Sequence, residues 1–192
     1  KVMQFLGRRN ATVFSWNAMV GRCLLAFLVI FFLVGIFPMS HAMEQTTAHT
    51  FVFQDIEGNP LPLDRFSGKA LLVVNTASSC GFTGQYTDLK VVWDKYKDRG
   101  LVVLGIPSND FGQETRSDDE VKKFCMTNYG IDFPLTAKQR VRGGSAHPFF
   151  KWVRKELGMM ASPKWNFYKY LIKPDGTVEG WYSSIVRPTS PR

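Results

Sequence analysis

Two short runs in this chain read as strands buried on both faces. Ala70 to Val74 and Leu101 to Ile106 are continuous, small-apolar and β-branched, without the polar alternation of a half-solvated strand. Between them Leu89, Val92, Trp93 and Tyr96 recur at helical spacing. Thr83 or Thr87 offers the N-cap there, and Arg99-Gly100 the stop. Strands of this kind must be covered by helices on both sides, which points to an α/β fold and away from a sandwich or a bundle.

The rest of the pattern fills in around this unit. Thr50 to Ile56 and Leu61 to Phe66, joined by the turn Glu57-Gly58-Asn59-Pro60, predict an N-terminal β-hairpin. Ser117 with Glu120 three positions on predicts a capping box opening a helix through Val121, Phe124 and Cys125 to a Gly130 stop. Phe149, Trp152, Val153 and Leu157 outline another helix, and Tyr168 to Ile172, Pro174-Asp175-Gly176 and Thr177 to Tyr182 a closing hairpin. The expected architecture is three-layered, a central mixed β-sheet flanked by helices. Ligands of such sheets gather beyond the C-terminal ends of the parallel strands, here Asn75 to Thr83 and Pro107 to Glu114.

Ahead of this domain, residues 1–42 carry four basic and no acidic residues, so 43–192 keeps 20 basic against 16 acidic groups, a net +4 of the total +8. The apolar run Leu24 to Phe37, preceded by Arg22 and followed by Pro38, Met39 and Ser40-His41-Ala42, has the form of a secretory signal peptide, with Met19 its natural start and cleavage after Ala42. It is shorter than the ~20 apolar residues that span a bilayer. Export is therefore expected, with signal 19–42 and domain 43–192. An uncleaved membrane tether is the alternative. Cleavage removes Cys23 and leaves Cys80 and Cys125, either free or joined in one bridge. The lysines alternate with acidic residues as on solvated faces, which argues against nucleic acid as a partner. His41, His49 and His147 are not at metal-ligand spacing.

Cys80 lies in Asn75-Thr76-Ala77-Ser78-Ser79-Cys80-Gly81-Phe82-Thr83, a small, polar loop between a buried strand and a helix. A thiol at a helix N-terminus meets the positive end of the dipole and unpaired amides, which favour the thiolate. A lone cysteine is otherwise a small core residue. Read singly, Trp165 is a packing residue, Asn166 a turn residue and Gln113 a loop amide. Their order along the chain is the signal.

Asn75 to Thr83, Gly105-Ile106-Pro107-Ser108-Asn109-Asp110-Phe111-Gly112-Gln113-Glu114 and Trp165-Asn166-Phe167 resemble, in order, the three signature blocks of the glutathione peroxidase family. The likeness runs from about Asp55 to Tyr182. It implies a thioredoxin-like fold and a catalytic tetrad at Cys80, Gln113, Trp165 and Asn166. It also implies no bound cofactor, a thiol reductant (glutathione or a thioredoxin-like protein) as co-substrate, and a monomer. One residue fewer separates Phe111-Gly112 from Gln113-Glu114 than is usual in the family, and Thr115 stands where proline is common. Relatives that use a resolving cysteine carry it at the position of Met126. Cys125 is one place earlier, a turn of about 100° on a helix, and reads as a core thiol.

The chemistry suits these residues. A peroxidase needs an accessible thiolate and uncharged hydrogen-bond donors, which an indole and two carboxamides supply. A thioredoxin-type exchange protein would need Cys-X-X-Cys, and Cys80-Gly81-Phe82-Thr83 does not provide it. The remaining alternative is a peroxide sensor, or a degenerate binding domain, that does not turn over.

Overall fold

The computed structural model describes residues 45–190, and the expected leader over 1–42 lies outside them. Four strands form one mixed sheet: β3 (Ala70–Thr76), β4 (Leu101–Pro107), β5 (Lys169–Ile172) and β6 (Val178–Tyr182), in the spatial order β4-β3-β5-β6. The β3–β4 pair is parallel and in step, from Ala70 opposite Leu101 to Thr76 opposite Pro107. Both strands therefore end at one edge, and the two loops marked by the sequence leave it side by side. The β3–β5 and β5–β6 pairs are antiparallel.

Why the strand runs are apolar throughout follows from the two cores. Leu71, Val73, Val102, Leu104, Ile106, Tyr170 and Ile172 pack into one cluster, while Val74 and Val103 pack into a second on the opposite face. The first is closed by helix α3 (Pro148–Leu157), through Phe149, Phe150, Trp152 and Val153, and by Phe53 and Leu61 of the N-terminal hairpin. The second is closed by α1 (Gln85–Tyr96), through Tyr86 and Leu89, and by α2 (Asp118–Tyr129), through Val121 and Cys125. Gly105 is the small residue on β4 where Leu135 crosses: an added Cβ would lie 2.5 Å from Leu135 Cδ2.

The Ser117–Glu120 capping box forms as expected, and Gly130 ends α2 in the left-handed region at φ 61°. The hairpin is shorter than its sequence suggests. Strand β1 is Val52–Gln54 and β2 is Pro60–Pro62, after which Leu63–Phe66 turns into a 3₁₀ segment. Pro60 and Pro62, which have no N–H to donate, stand opposite Gln54 and Val52, and the Leu63 N–H still bonds the Phe51 carbonyl at 2.9 Å before the chain turns away. Among the described residues no helix is long and apolar enough to cross a membrane.

Candidate active site

The expected cap on α1 is not a cap. The helix begins at Gln85 after Gly84, with no side-chain cap. Thr83 instead turns back into the loop: its hydroxyl accepts the Cys80 N–H at 3.0 Å and donates to the Ala77 carbonyl at 2.9 Å. Cys80 consequently sits in a turn before the helix and not on its first residue. Because the dipole fades within a turn, the local amides matter more. The Phe82 N–H reaches Cys80 Sγ at 3.4 Å. Cys80 is 8% exposed, in a cluster with Ala77, Tyr86, Leu89 and Phe167, and lies between the exposed Ser79 and Gly81. Cys80 and Cys125 are both free, so the disulfide alternative does not hold in this state.

The second loop is fastened at both ends. Asp110, at the end of the 108–110 segment, accepts the N–H groups of Val141 (2.7 Å) and Arg142 (3.1 Å) and is ion-paired with Arg140. Asn109 accepts the Glu114 N–H at 3.0 Å. Glu114 is wholly buried, and its Oε2 takes both the N–H (2.7 Å) and the hydroxyl (2.6 Å) of Ser78. Ser79 N donates to the Gln113 carbonyl at 3.1 Å, one residue along from these bonds on each loop and next to Cys80. The shortened loop thus still delivers Gln113 beside the cysteine loop.

The third block is held by Asn75, the last but one residue of β3. Its amide donates to the Trp165 carbonyl (3.1 Å) and its Oδ1 accepts from Tyr168 N (2.9 Å), while its carbonyl takes Phe167 N (2.6 Å). Within this turn Phe167 adopts φ 63°, the one positive φ among the described non-glycine residues. Such a conformation persists only where the surroundings impose it. Asn166 is fully buried, and its Nδ2 donates to Gln113 Oε1 at 2.8 Å. Two of the four sequence-derived site residues are therefore bonded directly. The Asn166 amide donates to Gln113 and not to the sulfur. Trp165 is 40% exposed, with its ring 5.5 Å from that of Phe111, over which Arg142 lies at 5.1 Å.

Cys125 is wholly buried beside Tyr86, and burial pushes its thiol up to about 11. That matches its reading as a core thiol. The sequence reading missed Glu114, Ser78 and Asn75 as organisers. Asn75 did carry a signal, an amide directly following an apolar strand run. No group of three or more His, Cys, Asp or Glu side chains able to hold a metal occurs among the described residues.

The pattern of the family described as glutathione peroxidase matches residues 48–154. The chain belongs to the glutathione peroxidase family. It is 49% identical over 139 residues to the glutathione peroxidase-like peroxiredoxin gpx1 of Schizosaccharomyces pombe, covering 70% of this chain and 87% of that one. It is 44% identical over 156 residues to the hydroperoxy fatty acid reductase gpx1 of Synechocystis, covering 77% and 92%. Among solved structures, the apo form of Trgpx superposes with a TM-score of 0.60 at 38% identity, covering 75% and 89%. At 20% identity, the thioredoxin-family interchange protein of Chlorobium tepidum (TM-score 0.52, covering 77% and 87%) shows the thioredoxin-like fold.

Proposed function

We propose that the protein is a thiol-dependent peroxidase that reduces hydrogen peroxide or organic hydroperoxides through a Cys80 sulfenic acid. The observation that carries this reading is the hydrogen-bonded junction of the three loops, in which Ser79 N meets the Gln113 carbonyl and Asn166 Nδ2 meets Gln113 Oε1 beside the buried, free Cys80. Relatives described as peroxiredoxins and as a hydroperoxy fatty acid reductase support it.

In the first half-reaction the Cys80 thiolate attacks one oxygen of the O–O bond. An S–O bond forms as O–O breaks, sulfur loses two electrons, and the departing alkoxide or hydroxide takes a proton and leaves as alcohol or water. Uncharged donors suit this step, since they stabilise anionic sulfur and oxygen without changing protonation. Gln113 Nε2, the second N–H of Asn166 and the Trp165 indole N–H are assigned that role. In the second half-reaction an external thiolate attacks the sulfenic sulfur and expels water after protonation. A second thiol then displaces Cys80 from the mixed disulfide and carries the oxidation away. Because Cys125 is buried with its thiol held neutral, the reductant is assigned as external, either glutathione or a thioredoxin-like dithiol. The protein acts as a monomer, and the leader pattern supports export.

Steady-state consumption of hydrogen peroxide with dithiothreitol tests the reading. The full chain turns over many times and Cys80→Ser does not. A single oxidation without turnover, or undiminished activity in Cys80→Ser, contradicts it.

A further inference from the structure

Lys169 opens β5 yet is 2% exposed, on the α1 side of a sheet covered on both faces. Its ammonium donates to three backbone carbonyls: Phe167 (2.8 Å), Ser183 (3.3 Å) and Val186 (2.6 Å). Only an ammonium brings three donors to one point, and a methionine of similar volume would leave all three carbonyls without them. The nearby charged groups are Asp88 of α1 and Arg187, which are paired with each other through two hydrogen bonds of 2.7 and 3.0 Å.

The three carbonyls belong to two segments, the turn at Phe167 and the stretch beyond β6. Phe167 is the positive-φ residue following Asn166. Ser183 to Val186 is a strap beyond β6 whose apolar side chains contribute little to its seating, Ile185 being 80% and Val186 41% exposed. It is held by polar bonds to its backbone, from Lys169 and from Gln85 Nε2, which reaches the Ser184 carbonyl at 2.6 Å, and by the Arg187–Asp88 pair directly after it. The strap in turn reaches the site: Ser184 Oγ donates to the Asn166 carbonyl at 2.5 Å.

We infer that Lys169 is a positioning residue of the peroxidase, its ammonium clamping the strap 183–186 and the Phe167 peptide so that Asn166 and Trp165 are held for the oxidation of Cys80. This rests on the function proposed above. The clamp acts on the half-reaction that develops anionic charge and needs oriented donors. Attack of an external thiol on the neutral sulfenic acid needs them far less. A mere loss of folded enzyme would lower both half-reactions alike.

The test compares the full chain with Lys169→Met and Ser184→Ala, each normalised to titratable Cys80. Separate rate constants are measured for oxidation by hydrogen peroxide and for reduction by dithiothreitol. Lys169→Met is expected to slow oxidation about tenfold or more, as small misplacements of catalytic groups do, with reduction within about twofold. Ser184→Ala, which keeps the buried lysine, is expected to show the same selective loss at smaller size and decides the matter if Lys169→Met does not fold. Equal losses in both constants, or none in Ser184→Ala, overturn the inference alone. A wild-type chain whose Cys80 does not react with peroxide overturns the proposed function as well.

Discussion

Glu114 places a carboxylate at zero exposure, and among the described residues no Lys or Arg is paired with it. Its partners are the N–H and hydroxyl of Ser78, two residues before Cys80, so one side chain ties the cysteine loop to the Gln113 loop. Glu114→Ala is expected to cost about 1–3 kcal/mol by leaving these donors without an acceptor. Urea melts read that cost, and oxidation of Cys80 should slow in the same variant. Cys125 makes the opposite expectation. Held neutral in the core, it is not needed to resolve Cys80, so Cys125→Ala should keep peroxide turnover with dithiothreitol, and peptide mapping of the oxidised wild type should show no Cys80–Cys125 link. Cys80 was legible in the sequence because a polar, small-residue loop between a buried strand and a helix is visible locally. Glu114 and Lys169 were not. A charged residue in a loop or an alternating strand reads as solvated until distant segments cover it, and the groups that satisfy these two lie 36 residues away for Ser78 and up to 17 for Val186.

Helix α3 begins on a titratable cap. His147 Nδ1 accepts the Phe149 N–H at 3.3 Å, its Nε2 faces the Val52 carbonyl at 3.0 Å, and its ring stacks on Phe53 at 3.9 Å. This geometry requires an unprotonated Nδ1, and burial holds the imidazole below its ordinary value of 6.5, the Val52 bond opposing only in part. The unfolded chain takes up the proton first as pH falls. The cap's contribution is therefore present above about 6.5 and lost below it. Thermal melts at pH 7 and pH 5 should show a larger drop in Tm for the wild type than for His147→Ser, which keeps a cap acceptor that does not titrate. A cap is worth about 0.5–2 kcal/mol. Equal drops would contradict this. At the scale of elements, the apolar runs and the capping box located β3, β4 and α2 well. The start of α1 and the length of β2 were misread for specific reasons: Thr83 bonds backward to Cys80 and Ala77, and Leu63–Phe66 coils into a 3₁₀ segment where the apolar pattern reads as strand.

Taken whole, the domain converts one topological fact into a reaction site. Parallel strands in register end at the same edge, and an antiparallel neighbour of β3 brings the Trp165–Phe167 turn to that edge, so three segments far apart in sequence meet. Composition could not show this meeting; the order of the three motifs, through their family resemblance, anticipated it. What stayed hidden was the framework holding them, the amide of Asn75, the carboxylate of Glu114 and the ammonium of Lys169, since each works across the fold and not along the chain. This meeting makes the Cys80 sulfur the atom that peroxide oxidises. Treating the full chain with one equivalent of hydrogen peroxide in the presence of dimedone, followed by peptide mass mapping, should place the dimedone adduct of a sulfenic acid on Cys80. An unmodified Cys80, or an adduct confined to another cysteine, would contradict it.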